Sequence, residues 1–244
     1  MTTTSLTSSL PSRLHHALLE GILRTGHAPT TAQLAATLDT SAPAIDAALA
    51  QLADEHGLLL HPGESRVWVA HPFSLSPTST WVETRGGDGW WAPCLWCAFG
   101  VIALLARTGD GRDVDVHARL GAHATPVTIQ IRAGLLLADG GASLVHFALP
   151  PRVAWDNVVH WCASVQPFAA EADVDAWCAR HGHARGAIVP IQQVRELGEL
   201  WYGGHLATDW RKHSAREAQQ IFARVELTEP FWSLADATSA DERF

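Results

Sequence analysis

The sequence predicts an α+β fold: an N-terminal winged-helix-like module, then a mixed, largely antiparallel sheet with helices. Three observations point there. Residues 14–57 hold three stretches of helical periodicity broken by Gly and Pro. A short hairpin pattern follows, LLLH and RVWVAH around Pro62-Gly63. Further on, VTIQI (127–131) alternates as a strand among other short apolar runs and helical stretches.

Length and composition bound the rest. The chain has 244 residues, 47% hydrophobic and 17% charged, enough for one large domain or two small ones with a sizeable core. The organisation expected is a disordered tail (1–12), a winged-helix-like domain (13–80), a larger unit (81–234) and a polar tail (235–244). No apolar run approaches the roughly 20 residues of a membrane span. The opening MTTTSLTSSLPSR has no apolar core of a secretory signal, so a cytoplasmic protein is expected. With 17 Lys+Arg against 25 Asp+Glu, the net charge of −8 argues against nucleic acid or an anionic membrane as partner.

Taken in order, Leu14, Leu18, Ile22 and Leu23 share one helical face, which Gly26 and Pro29 end. Thr31 is placed to cap a second helix carrying Leu34 and Leu38. Ser41 is placed to cap a third, with Ile45, Ala48, Leu49 and Leu52 inward. That third helix has no Lys or Arg and carries Asp46, Asp54 and Glu55. It lacks the side chains that read a DNA groove, so the module is expected not to bind DNA. Residues 74–90 read as a linker with Pro77 and Gly86-Gly87. An apolar helix is expected at 93–106, strands at GLLLA, SLVHFALP and 158–169 (VVHWCASVQPFA), and a helix at 171–181 with acids first, Arg180 and His181 last, and Gly182 beyond. GAIVPI reads as a strand, RELGELWYGGHLA and SAREAQQIFARVEL as helices.

The chemistry sits in four cysteines, among 14 His and 11 Trp. In an intracellular setting four cysteines point to thiols or metal ligands rather than disulfides. Cys94 and Cys97 form a CxxC, yet they follow a Gly-rich stretch instead of the strand that precedes a thioredoxin-like pair. No second knuckle completes a structural zinc site. An i, i+3 pair does share one helix face, where thiolates can hold a soft metal. Cys178, with Val174 and Trp177, reads as core, and by spacing alone so does Cys162.

The order of segments "AHPFSLSPT", "WWAPCLWCAFGVIALL", "GAHATPVTIQI", "VVHWCASVQPFA", "DVDAWCARHG" and "GAIVPIQQVRELGELW" resembles the organomercurial (alkylmercury) lyase family over roughly residues 14–205. The resemblance implies a winged-helix-like N-terminal region that does not bind DNA and a catalytic unit in which two thiolates take the mercury of R–Hg⁺ while an acid protonates the departing carbon. Cys162 matches the family's second catalytic cysteine. Anchored on Pro126, the first falls on Leu120 and the acid on His123, so this chain resembles a diverged member lacking the first thiol. Cys94 matches a non-catalytic position and Cys97 a position usually held by aspartate.

The expected function is therefore alkylmercury-lyase-like: thiol-assisted protonolysis of a carbon–metal or related bond in a small-molecule substrate. Cys162, Cys97 and His123 are the candidate catalytic residues and the candidate metal ligands, for mercury, copper or zinc. One alternative is a metal- or haem-binding protein on the same scaffold, with a His/Cys pocket drawn from His71, His117, His123, His160 and Trp161. The other is a ligand-sensing winged-helix regulator, which the acidic third helix disfavours.

Overall fold

A computed structural model describes residues 8–121, 123–234 and 244. The expected tails at 1–7 and 235–243 lie outside the described residues. Helix α1 (Leu10–Thr25) already occupies the end of the expected first tail, because Ser9 caps it by accepting from the Ser12 N–H. Phe244 is buried and exchanges two 2.8 Å backbone hydrogen bonds with His213. After α1 come α2 (Thr31–Thr37) and α3 (Ala42–Asp54). The cap of α2 is Thr30 rather than Thr31, because Thr30 closes a reciprocal capping box with Gln33. Leu14, Leu18, Ile22, Ile45, Leu49 and Leu52 are buried where α1 packs on α3.

Strands β1 (Leu59–Leu60), β2 (Val67–Ala70), β3 (Phe73–Ser74), β4 (Thr80–Thr84) and β5 (Gly89–Ala92) follow, then helix α4 (Leu95–Thr108). β6 (Val114–Leu120), β7 (Thr125–Arg132), β8 (Leu135–Ala138) and β9 (Leu144–Phe147) come next, then a 3-10 turn (Pro151–Asp156) and α5 (Val158–Ala163). The chain continues through β10 (Val165–Phe168), α6 (Glu171–His181), β11 (Ala187–Pro190), α7 (Ile191–Tyr202) and α8 (Ala215–Arg224). One sheet runs β1-β2-β3-β5-β4-β6-β7-β8, and β9 lies between β10 and β11 in a second. Every strand pair among the described residues is antiparallel.

Two expectations change. The stretch 74–90 is no linker: β4 and β5 form a hairpin whose Trp81 and Trp91 pair across the strands with ring centroids 4.7 Å apart. Gly89 makes room, since a Cβ there would sit 2.1 Å from Trp81. The boundary expected between 80 and 81 therefore falls at the start of a strand inside a continuous sheet. The N-terminal helices join the same body: Trp90 Nε1 donates to the Ile22 carbonyl at 2.8 Å, and the ring of buried His15 stacks on Trp210 at 3.5 Å.

The second change concerns 158–169, expected as one strand. Residues 158–163 form α5, and only 165–168 are extended. Asn157 caps the helix by accepting from the His160 N–H at 3.0 Å, and Ser164 turns its hydroxyl back to the Trp161 carbonyl at 2.7 Å. Val158, Trp161 and Cys162, spaced i, i+3, i+4, are all buried, so the helix presents a complete apolar face.

α4 is the centre of the molecule, buried from Leu95 through Leu105. It packs on α7 through two glycines. A Cβ on Gly100 would lie 2.3 Å from the Tyr202 ring and 2.9 Å from Pro72, and one on Gly198 would lie 2.7 Å from the Phe99 Cβ. Far from this centre, Ser214 caps α8 in a capping box with Glu217, whose carboxylate also takes Arg211 in a fork at 2.6 and 2.8 Å. Ser214→Ala leaves the Glu217 N–H without its partner and lowers stability by about 1 kcal/mol, measurable as a lower urea midpoint at unchanged slope.

Candidate functional site

Three of the four thiols and one imidazole converge beneath α4. Cys94 is the residue before the helix and Cys97 lies in its first turn, so their sulfurs meet at 3.5 Å. Cys162 comes from α5, which is anchored by Trp161 Nε1 donating to the Leu149 carbonyl at 2.9 Å. His71 comes from the turn between β2 and β3, and its Nε2 is 3.9 Å from the Cys162 sulfur. The ligand atoms of His71, Cys97 and Cys162 all lie within 4.8 Å of one another. The three thiols are at most 3% exposed. Tyr202, at the end of α7, brings its hydroxyl to 3.5 Å from the Cys97 sulfur.

The cluster's electrostatics follow from crowding in a dry place, which admits one thiolate and disfavours the next. Burial raises the Cys94 thiol, but hydrogen bonding from Cys162 and Cys97 and from the Cys97 backbone N–H outweighs it and holds Cys94 well below the usual thiol range. Its place at a helix N-terminus acts in the same sense. Cys97 is pushed well up by burial, and Cys162 by its hydrogen bonds to the other two thiols together with burial. Tyr202 is likewise raised, chiefly by burial. Burial lowers His71 to about 4, so its imidazole is neutral near pH 7. Crowding thus favours charge on Cys94 and disfavours it on Cys97 and Cys162, beside a neutral imidazole.

Two cavities meet at His71 and Cys162. One, of about 70 Å³, is walled by Trp96, Trp155, Trp161, Trp201, Tyr202 and Trp210, with Lys212 over the Trp155 ring at 4.2 Å. The other, of about 300 Å³, is bounded by Trp68, Ser74, Thr78 and Val159 among others. Cys162 is the only one of the three thiols that lines either cavity.

The expected site residues are thus partly brought together. Cys97 and Cys162 meet. His123 does not join them: it is exposed in the turn between β6 and β7, and the imidazole in the cluster is His71. Cys94, expected as scaffold, is instead in contact with both other thiols, and no thiol at Leu120, at the half-buried end of β6, is needed to complete the set. The signal for Cys94 was in the sequence, since a CxxC that opens a helix places both sulfurs on its first turn. Cys178 stays apart in a small core with Phe168, Val174 and Trp177.

A buried cluster of thiols beside an aromatic cavity, on an α+β scaffold, is a donor set compatible with a soft metal. The chain belongs to the alkylmercury lyase family, whose model matches residues 73–203, more than half of its length. In fold it is similar to a solved structure described as the mercury-bound form of MerB2, at 20% identity and a TM-score of 0.58, over 82% of this chain and 91% of that one. No curated protein sequence matches it. Cys94, Cys97, Cys162 and Tyr202 lie inside the matched segment, and His71 lies just before it. Among the described residues no helix is long and apolar enough to cross a membrane.

Proposed function

We propose that the protein cleaves the carbon–mercury bond of small organomercurials by thiol-assisted protonolysis. The observation that carries this reading is the meeting of three buried sulfurs at the wall of an aromatic cavity, Cys94 being the thiol held low and Cys97 and Cys162 the ones pushed up. The Cys94 thiolate attacks the mercury of R–Hg–X, forming R–Hg–S and releasing X⁻. The organic group R lies in the cavity among the tryptophans. Cys162 lines that cavity and keeps its proton, so it delivers H⁺ to the carbon. The electron pair of the C–Hg bond becomes the C–H bond, R–H departs, and the Cys162 thiolate takes the vacated place on mercury. Cys97, in contact with the Tyr202 hydroxyl and 3.5 Å from the Cys94 sulfur, stands ready as a third sulfur. Exchange with two external small thiols then removes Hg(II); one of their protons restores the Cys162 thiol and the other passes to solvent as Cys94 returns to its thiolate. His123 has no step in this scheme.

The test is direct. Purified protein, given methylmercury or phenylmercury with excess small thiol, releases methane or benzene, read by gas chromatography. Cys162→Ala releases neither above background. Full turnover in that variant, or none in the parent chain, sinks the reading.

A further inference from the structure

The imidazole in the cluster has no step in the cleavage scheme. His71 is half-buried with its ring edge-on to Trp155; its Nδ1 is buried without a hydrogen-bond partner among the described residues, and its Nε2 makes a long 3.9 Å contact to the Cys162 sulfur. A buried ring nitrogen so poorly satisfied calls for an explanation. A cation supplies one. We propose that, in the absence of organomercurial, Cys94, Cys97, Cys162 and His71 form a Cys₃His site that takes a divalent cation of the zinc class reversibly and in competition with that substrate, with His71 as the ligand that closes it.

Geometry supports this first. A zinc ion with sulfurs at ~2.3 Å and nitrogen at ~2.0 Å needs S···S separations of roughly 3.8 Å and S···N of roughly 3.5 Å. The observed spacings are 3.5 Å between Cys94 and Cys97, 3.9 Å between Cys162 and His71, and under 4.8 Å throughout His71, Cys97 and Cys162. Cys94 lies beside this trio on the Cys97 side, and rotation of its side chain brings it in as the fourth donor. The donors come from three separate stretches of chain, the helix start at 94–97, α5, and the turn before β3, so the fold itself assembles them. A small ion needs only local side-chain rotation to be enclosed, and enclosure by four protein ligands is the mark of a closed site.

The donor chemistry points the same way, since three sulfurs and one imidazole are a donor set that closed zinc sites use. His71 lies outside the segment shared with the alkylmercury lyases. The inference does not rest on the lyase reading, because it concerns the chain without organomercurial.

Cobalt(II) is the probe. The reduced, metal-free full chain is titrated anaerobically. The expected result is one cobalt per chain with the intense visible bands of tetrahedral coordination and a sulfur-to-metal charge-transfer band. Zinc then displaces it, and an indicator dye records proton release as the metal-free chain takes up the ion. His71→Ala keeps its circular dichroism spectrum and weakens cobalt binding at least ~10-fold, while Cys178→Ala, outside the cluster, binds as the parent does. The proposal is overturned if the metal-free chain gives no tetrahedral cobalt spectrum, or if folded His71→Ala binds cobalt as tightly as the parent. Hydrocarbon release from organomercurials is measured separately on the same samples, so either reading can fail alone.

Discussion

Replacing Cys94 with serine lowers carbon–mercury cleavage by at least about 10³-fold, the scale on which loss of a bond-forming partner shows in an enzyme. The substitution keeps size and removes the one group that rests as an anion. Serine at the start of a helix is a good cap, so stability is unchanged or slightly raised. Melting of the variant separates chemistry from folding. The parent also carries a spectroscopic signature. The Cys94 thiol is held low, so its thiolate is present above that depressed value and disappears as pH falls through it. The ultraviolet thiolate absorbance at pH 7 is therefore present in the parent and absent in Cys94→Ser. If the band persists in the variant, the resting charge lies on another sulfur and the assignment of the first nucleophile fails.

The second large effect is acid lability away from the thiols. His15 is fully buried in α1, neither ring nitrogen has a hydrogen-bond partner among the described residues, and its ring stacks on Trp210. Burial, with the neighbouring His16, depresses it from 6.5 to about 3. His205, whose ring centroid is 6.0 Å away, is lowered in the same way, with His15, His213 and His71 adding to the effect of burial. The sign is set by where protons go. Between about pH 6.5 and pH 3 the unfolded chain protonates this position and the folded chain does not, so stability falls as pH falls through that window. For His15 alone the loss between about pH 7 and pH 5 is on the order of 2 kcal/mol, and His205 adds to it. Urea unfolding at the two pH values measures it, and His15→Phe removes the His15 share. A stability that stays level from about pH 7 to pH 5 contradicts the argument.

The parts of the fold legible in sequence were those with a single strong period. The buried faces of α1 and α3, the alternation within β7 and the Gly182 stop of α6 needed no tertiary context. The hairpin β4–β5 was hidden by Gly86-Gly87, read as a linker although they form its turn. Residues 158–163 were hidden by β-branched valines, whose strand preference lost to the Asn157 cap and to the i, i+3, i+4 face of Val158, Trp161 and Cys162. In the site, Cys97 was legible from its CxxC spacing and Cys162 from the family resemblance, its own spacing reading as core. His71 was legible only as one of several pocket histidines and Tyr202 not at all, since they reach the sulfurs from segments 26 and 105 residues away from Cys97, and nothing in sequence spacing encodes so long a closure.

The contact between α4 and α7 has a further consequence. Gly100 and Gly198 let the two helices approach until Tyr202 touches Cys97 and Pro72 lies against α4 beside His71. The distance from the Tyr202 hydroxyl to the Cys97 sulfur is thus a dimension of the main chain. A methyl group at either glycine acts as a shim: it spreads α4 from α7 and draws the phenol away from the thiol while both residues keep their identity. How firmly Cys97 is held is tunable from two positions that carry no functional group at all.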